Sequence, residues 1–312
     1  MESYLTNPFS LLLIAILFVI LILRQPKIHP LRKDSVVLIT GGVQGLGKQI
    51  AKEFARSGVT RIAIIDIRED LAKDLERELK EVNPKCQMRY FNCDISNQEQ
   101  LKETFKAIIQ NFGTVNLLIN NAARTLGKRI SDLSFDTYRK TLDINFLSIV
   151  HLNSLWFQHI KSTQQNFKGY QLVHINSIGG TITSSQNADY CSSKFALKAY
   201  TDTLRQELDD YPGLMLTNFY PYFINTGLYE GFKPLARFLI PTLNQEATAK
   251  KIHDSILAHK KEVYIWWFIE YMRVVIDLVP LGVRNFLVQR LMGDGMRTFV
   301  GRGEVISQKK LD

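Results

Sequence analysis

The sequence predicts an α/β fold, a single domain built on a doubly wound parallel sheet with helices on both faces, behind an N-terminal membrane anchor. Three observations carry this. Short apolar runs alternate with longer amphipathic ones about six times from residue 35 onward. The apolar runs are continuous, with no in-and-out alternation, as strands buried on both faces require. A cluster of glycines joins the first of them directly to a helical run. With 312 residues and 46% apolar composition, the chain has material for one large core.

In chain order, the first element is the apolar stretch from Phe9 to Leu23, FSLLLIAILFVILIL. It is a little short of the ~20 residues of a straight membrane-spanning helix, and it lacks the basic leader and small-residue cleavage site of a signal peptide. A core helix with no polar face needs covering all round, so the stretch reads as an uncleaved anchor. Arg24, Lys27, Arg32 and Lys33 follow, placed to meet lipid headgroups and, for a spanning segment, to keep the body on the cytosolic side. Residues 1–34 are therefore anchor and basic linker.

Strands are expected at 35–39 (SVVLI), 61–65 (RIAII), 88–92 (MRYFN), 115–119 (VNLLI), 171–175 (QLVHI) and 214–219 (LMLTNF), with 262–266 (EVYIW) as a seventh. Between the second and third, Leu71, Leu75, Leu79 and Val82 form one apolar stripe of a charged helix. Residues 188–200, ADYCSSKFALKAY, look helical, as does the stretch from about Gln245 to Ala258. The stretch around 222–245 carries Pro234 and Pro241 among aromatics and reads as a functional loop or lid. It lies within a single domain spanning 35–266. The tail, 267–312, is apolar and aromatic with arginines interspersed, a pattern that suits a helix on a bilayer and an ordinary core helix equally well.

Composition removes several function classes. Cys86, Cys93 and Cys191 have no CxxC spacing, so neither a zinc site nor a disulfide framework is suggested, and no histidine pair has metal-ligand spacing. The net charge of +9 lies partly beside the apolar anchor, which points to a membrane surface as partner and away from nucleic acid.

The first strand ends in TGGVQGLGK, Thr40 to Lys48. Gly41, Gly45 and Gly47, with Gln44 and Leu46 between them, allow a tight turn and bring a helix N-terminus up to a pyrophosphate. The second strand ends in Asp66, at the position where a carboxylate accepts hydrogen bonds from an adenosine ribose and repels a 2′-phosphate. Neither Gln44 nor Ile67 is basic, so NAD is expected over NADP, although Arg68 and Lys48 lie nearby. Asp66 could equally cap a helix in DIRED; its place after a buried strand favours the ribose.

The glycine spacing T-G-x-x-x-G-x-G resembles that of the short-chain dehydrogenases/reductases, and the resemblance extends over most of residues 35–265. It implies a Rossmann-type sheet. In CDIS, Asp94 matches the adenine-contacting residue; NNAA at 120–123 matches the motif after the fourth strand, with Asn121 and Ala122 against the cofactor. Asn145 in LDINFLS, Ser177 in INSIGG, and Tyr190 with Lys194 as Y-x-x-x-K match the catalytic tetrad, and Thr226 in NTG the contact to the nicotinamide amide. Two positions depart: Ala123 replaces a glycine, and Pro221-Tyr222 stands where a proline-glycine is usual.

The chemistry of the pair is independent of the family. Oxidising an alcohol needs a hydride acceptor, a base and donors for the developing oxygen charge. A free tyrosine, of pKa ~10, is a weak base until an ammonium one helical turn away favours tyrosinate. Lys194 supplies that ammonium for Tyr190 and could also hold the ribose. The resemblance implies that Ser177 orients the substrate oxygen and that Asn145 holds a water in a relay to the lysine. It is strongest with a membrane-associated group that includes retinol dehydrogenases and the lipid-droplet type of 17-beta-hydroxysteroid dehydrogenases. That implies a lipophilic alcohol or carbonyl substrate (retinoid, steroid or fatty alcohol), an endoplasmic reticulum or lipid-droplet location facing the cytosol, and a homodimer joined through the helix of Tyr190. The competing reading is a catalytically idle, NAD-binding scaffold or redox sensor.

Overall fold

The computed structural model describes residues 31–163, 166–228, 242–266, 270–271 and 278–292. Strands β1 (Val36–Thr40), β2 (Arg61–Asp66), β3 (Gln87–Asn92), β4 (Leu117–Asn120), β5 (Gln171–Ile175), β6 (Met215–Tyr220) and β7 (Glu262–Tyr264) form one sheet in the order β3-β2-β1-β4-β5-β6-β7. Every neighbouring pair is parallel. Helices α1 (Gly45–Arg56), α2 (Ala72–Val82), α3 (Gln98–Phe112), α4 (Phe135–Leu142), α5 (Ser148–Thr163), α6 (Ala188–Glu207), α7 (Gln245–Leu257) and α8 (Leu281–Met292) complete it. This is the doubly wound sheet expected from the alternation of apolar and amphipathic runs.

Alternate residues of each central strand serve opposite layers, because side chains reverse face at every position. Val37 and Ile39 pack with Ile50 and Phe54 of α1, Leu75 of α2 and Ile252 of α7. Val36 and Leu38 pack instead with Leu101 and Phe105 of α3 and Trp156 of α5. Trp156 also donates its indole N–H to Val115 O at 2.9 Å, tying α5 to the chain entering β4.

Two expectations need correcting. β3 is not buried on both faces: Gln87, Arg89 and Asn92 are exposed, since the strand lies at the sheet's edge. The fourth strand begins at Leu117, two positions later than read, although Val115 is still fully buried. The apolar run Phe9–Leu23, the centre of the 222–245 segment and most of the tail fall outside the described residues. Among the described residues no helix is long and apolar enough to cross a membrane.

A chain of buried polar groups runs through the middle of the sheet. Asn120 Nδ2 donates to Asn153 Oδ1 at 2.8 Å, and Asn153 Nδ2 donates to His174 Nε2 at 2.9 Å. His174 Nδ1 lies 2.8 Å from Thr201 Oγ1, whose own proton goes to Leu197 O, so Nδ1 carries the imidazole proton. These contacts register β4, α5, β5 and α6 against one another. They fix the angle at which α6 presents Tyr190.

Candidate active site

The chain reverses its direction of winding between β1 and β4, and a crevice opens there at the carboxyl ends of the strands. The glycine turn forms its first wall. Gly41 and Gly45 take φ of 65° and 56°, in the left-handed region that favours glycine. A Cβ on Gly47 would lie 2.2 Å from Gly41 O and 2.7 Å from Asn121 Nδ2, so only a bare Cα lets α1 seat this close. Gln44, at the start of α1, provides no side-chain cap, and the first turn carries no acid. The leading N–H groups of α1 therefore end free of side-chain partners beside Gly41, Gln44 and Leu46, which line the crevice. Such a helix start suits a pyrophosphate.

Thr40, Gly45 and Gly47 stand behind this wall instead of lining it. Thr40 Oγ1 accepts from both Asn121 N and Ala122 N at 3.1 Å, and Asn121 Nδ2 donates to Thr40 O and Gly41 O at 3.0 Å. These four bonds pin the NNAA turn to the glycine turn. Asn121, Ala122 and Ala123 line the crevice beside them.

Asp66 lies at the end of β2, buried, with Oδ2 accepting from Val43 N at 3.2 Å and Oδ1 from Arg68 N at 3.1 Å. Both nearby cations are engaged elsewhere. Arg68 forms a two-pronged pair with Asp70 at 2.8 and 2.7 Å, and Lys48 pairs with Glu78 at 2.5 Å. Asp94 also lines the crevice; its Oδ1 accepts from Ser96 and its Oδ2 from Lys140 at 2.9 Å. Burial pushes the Asp94 carboxyl up, but the hydrogen bonds from Ser96 and Lys140 outweigh it and hold it below the usual range.

Tyr190 and Lys194 come from the first turns of α6 and share one face, with Lys194 Nζ 5.7 Å from the centre of the Tyr190 ring. Lys194 is 1% exposed and donates to Ile175 O at 2.9 Å. Burial pulls its pKa down to about 7. Ser177 follows β5 and accepts from Gly179 N at 3.0 Å. A Cβ on Gly179 would lie 3.1 Å from Tyr190 Cε1 and 3.4 Å from Ser177 Oγ, so this glycine is what lets serine and tyrosine close on one point. Tyr190, Lys194, Ser177 and Thr226 all line the crevice, Thr226 on the turn where its N–H donates to Ile224 O.

Asn145 is the exception. It lies in a π-helical turn, Asp143–Leu147, and is fully buried behind the lining. Its Oδ1 accepts from Arg124 N at 2.8 Å, while Nδ2 donates to Arg124 O at 2.9 Å and Ser193 Oγ at 3.0 Å. The side chain thus braces the wall against the helix of Tyr190. π turns of this kind concentrate at functional sites because they re-aim one residue of a helix.

Motif reasoning missed the far end of the crevice. Thr125 Oγ1 donates to Asn187 Oδ1 at 3.0 Å, and Asn187 Nδ2 to Ser184 Oγ at 3.1 Å, bracing the loop that leads into Tyr190. Beyond it the walls turn apolar, with Ile178, Ile182, Tyr222, Phe223, Leu228 and Val288 facing the space. Ile178 sits inside INSIGG and Tyr222 at the altered proline-glycine position, but each was read there for its neighbour; Ile182, Phe223, Leu228 and Val288 lie outside the quoted motifs. Among the described residues no group of His, Cys, Asp or Glu is placed to hold a metal ion.

The chain matches the short chain dehydrogenase family over residues 35–234. It is 28% identical to short-chain dehydrogenase/reductase 3 of Homo sapiens, over 81% of this chain and 82% of that one. Epidermal retinol dehydrogenase 2 of Mus musculus is 30% identical over 79% of this chain and 78% of its own length. Among solved structures, an alcohol dehydrogenase from Thermococcus sibiricus superposes with a TM-score of 0.63 at 22% identity, covering 74% of this chain and 95% of that one. An NAD+-bound xylitol dehydrogenase gives 0.65 at 19%, over 74% and 97% respectively. Sheet order, glycine turn and family match agree: the chain belongs to the short-chain dehydrogenases/reductases, NAD(P)-dependent enzymes that act on hydroxyl-bearing carbons.

Proposed function

We propose that this protein is a membrane-associated, NAD-preferring dehydrogenase/reductase of lipophilic alcohols and carbonyls. The observation that carries the reading is the placement of Tyr190, Lys194 and Ser177 between a dinucleotide crevice and apolar walls. When bound, the nicotinamide cofactor accepts or donates the hydride. Tyr190 moves the hydroxyl proton, Lys194 favours its ionised form, and the Ser177 hydroxyl hydrogen-bonds the reacting oxygen. Asn145 positions Tyr190 through Ser193 Oγ, which donates to Tyr190 O at 2.7 Å.

The preference for NAD rests on Asp66 and on the commitment of Arg68 and Lys48 to other carboxylates. A lipophilic substrate is supported by the apolar end of the crevice, and membrane association by the run Phe9–Leu23 with its basic flank. Retinoid, steroid and fatty alcohols all suit such walls.

The test is turnover of detergent-purified protein on retinol, steroid and fatty-alcohol panels, with NAD and NADP side by side. At least one lipophilic alcohol should be oxidised with NAD favoured, and Tyr190→Phe should cut kcat by about a hundredfold or more while NADH binding stays within about twofold. Full activity in that variant overturns the mechanism. NADH binding without turnover of any panel member leaves the idle scaffold as the correct reading.

A further inference from the structure

Four residues with formally charged side chains line the crevice: Asp66, Asp94, Lys194 and half-buried Arg124. The first three are satisfied. Asp66 accepts two backbone N–H groups, Asp94 pairs with Lys140, and Lys194 donates to Ile175 O. Arg124 is different. Its backbone N and O are both clamped by Asn145, yet among the described residues its guanidinium has neither a carboxylate nor a hydrogen-bond acceptor. A guanidinium keeps its charge at every accessible pH, so this cation cannot neutralise itself by losing a proton.

Position decides what could balance it. The clamp runs Arg124 to Asn145 to Ser193 to the Tyr190 carbonyl, so the residue is held to the helix turn that carries the acid/base. On its other side Thr125 hydrogen-bonds Asn187, in the loop leading into that helix. Arg124 therefore starts at the junction between the dinucleotide crevice and the apolar end, where Ile144, Ile178 and Ile182 also contribute to the wall. A cation beside apolar walls favours a ligand that is itself mostly apolar and carries one anion, because that anion balances the charge without leaving a polar group unpaired. The cofactor's pyrophosphate already has the uncapped start of α1.

We propose that Arg124 is an anion-binding subsite for the substrate. On the dehydrogenase reading above, on which this inference rests, the preferred substrates are lipophilic alcohols or ketones that also carry a carboxylate or similar anionic group.

The probes are a long-chain hydroxy fatty acid, its methyl ester and an uncharged fatty alcohol, assayed with saturating NAD, with NADH affinity measured by fluorescence. Wild-type kcat/KM for the acid should exceed that for the ester by about tenfold or more, as a charge-assisted pair provides. Arg124→Gln should erase that preference chiefly through KM for the acid, with NADH affinity within about twofold, and Arg124→Lys should keep part of it. NADH affinity also reports that each variant is folded. Equal wild-type efficiency on acid and ester overturns the proposal. So does a Gln variant that binds NADH weakly and loses both substrates in parallel, because Arg124 would then serve a cofactor phosphate. Turnover of the alcohol without preference for the acid sinks the subsite alone; turnover of none, with NADH bound, sinks the dehydrogenase reading as well.

Discussion

Asp66 shows how a single side chain can hold two jobs at once. Its carboxylate anchors Val43 N and Arg68 N, which shapes the turn, and on the NAD-preferring reading proposed above it also receives an adenosine ribose hydroxyl. Replacing it by serine keeps an acceptor but removes the charge. Asp66→Ser should move the NADH-to-NADPH affinity ratio toward NADPH by about tenfold to a hundredfold, measured by fluorescence titration of both. An unchanged ratio would mean that the carboxylate is only a brace. Asp66 was legible in the sequence because it ends an apolar strand at a fixed distance from a glycine turn. The bracing roles of Thr40 and Asn145 were not, since their partners lie far away along the chain: Asn121 and Ala122 for the one, Arg124 and Ser193 for the other. Residue type announces which groups can bond; only the fold says to whom.

At the level of elements, α1 and the β4 turn meet with no room to spare. Gly47→Ala would push a methyl group onto Gly41 O, a backbone atom that cannot swing aside. We expect a loss of about 1–3 kcal/mol in stability from such overpacking and a fall in NADH affinity of at least about tenfold, read by urea denaturation and by titration. The substitution is a common and conservative one in an ordinary helix, so near-native values for both would mean that α1 can shift freely. The central strands were legible because residues buried on two faces leave an unbroken apolar run. β3 read as one of them although it is an edge strand, and the π turn around Asn145 left no trace in composition. An edge is a property of the sheet order, and a π turn differs from an α turn by a single hydrogen-bond offset.

For the molecule as a whole, buried titratable groups tilt stability toward alkaline pH. Burial holds His174 neutral in the fold, with its pKa lowered to about 3, whereas an unfolded chain protonates it below about 6.5. Stability should therefore drop steadily as pH falls from about 6.5 toward 3, and His174→Gln should flatten the upper part of that slope, above the range where carboxylates titrate. Lys194 acts in the same direction higher up: between about pH 7 and 10.5 the unfolded chain holds a proton that the fold does not, so stability rises with pH. Cys86, pushed up to about 11 by burial, reverses the trend above about 9, where an unfolded thiol ionises first. Urea midpoints measured from pH 5 to 10 should peak on the alkaline side of neutral. A maximum below pH 6 would contradict the His174 and Lys194 assignments, and stability still rising above pH 9 would contradict that of Cys86.

Because every strand runs the same way, the body has two poles. Leu31 packs beneath the sheet where the chain enters β1, while the crevice opens at the opposite ends of the strands. One strand of five residues separates them by roughly 17 Å of sheet. On the membrane association proposed above, a tether arriving through residue 31 would grip the molecule at the pole away from its mouth. For one bilayer to hold that tether and also deliver substrate, the domain has to recline, its strands nearly parallel to the membrane plane. On that reading, shortening the basic stretch before residue 35 should throttle turnover of membrane-dissolved substrate before that of soluble ones.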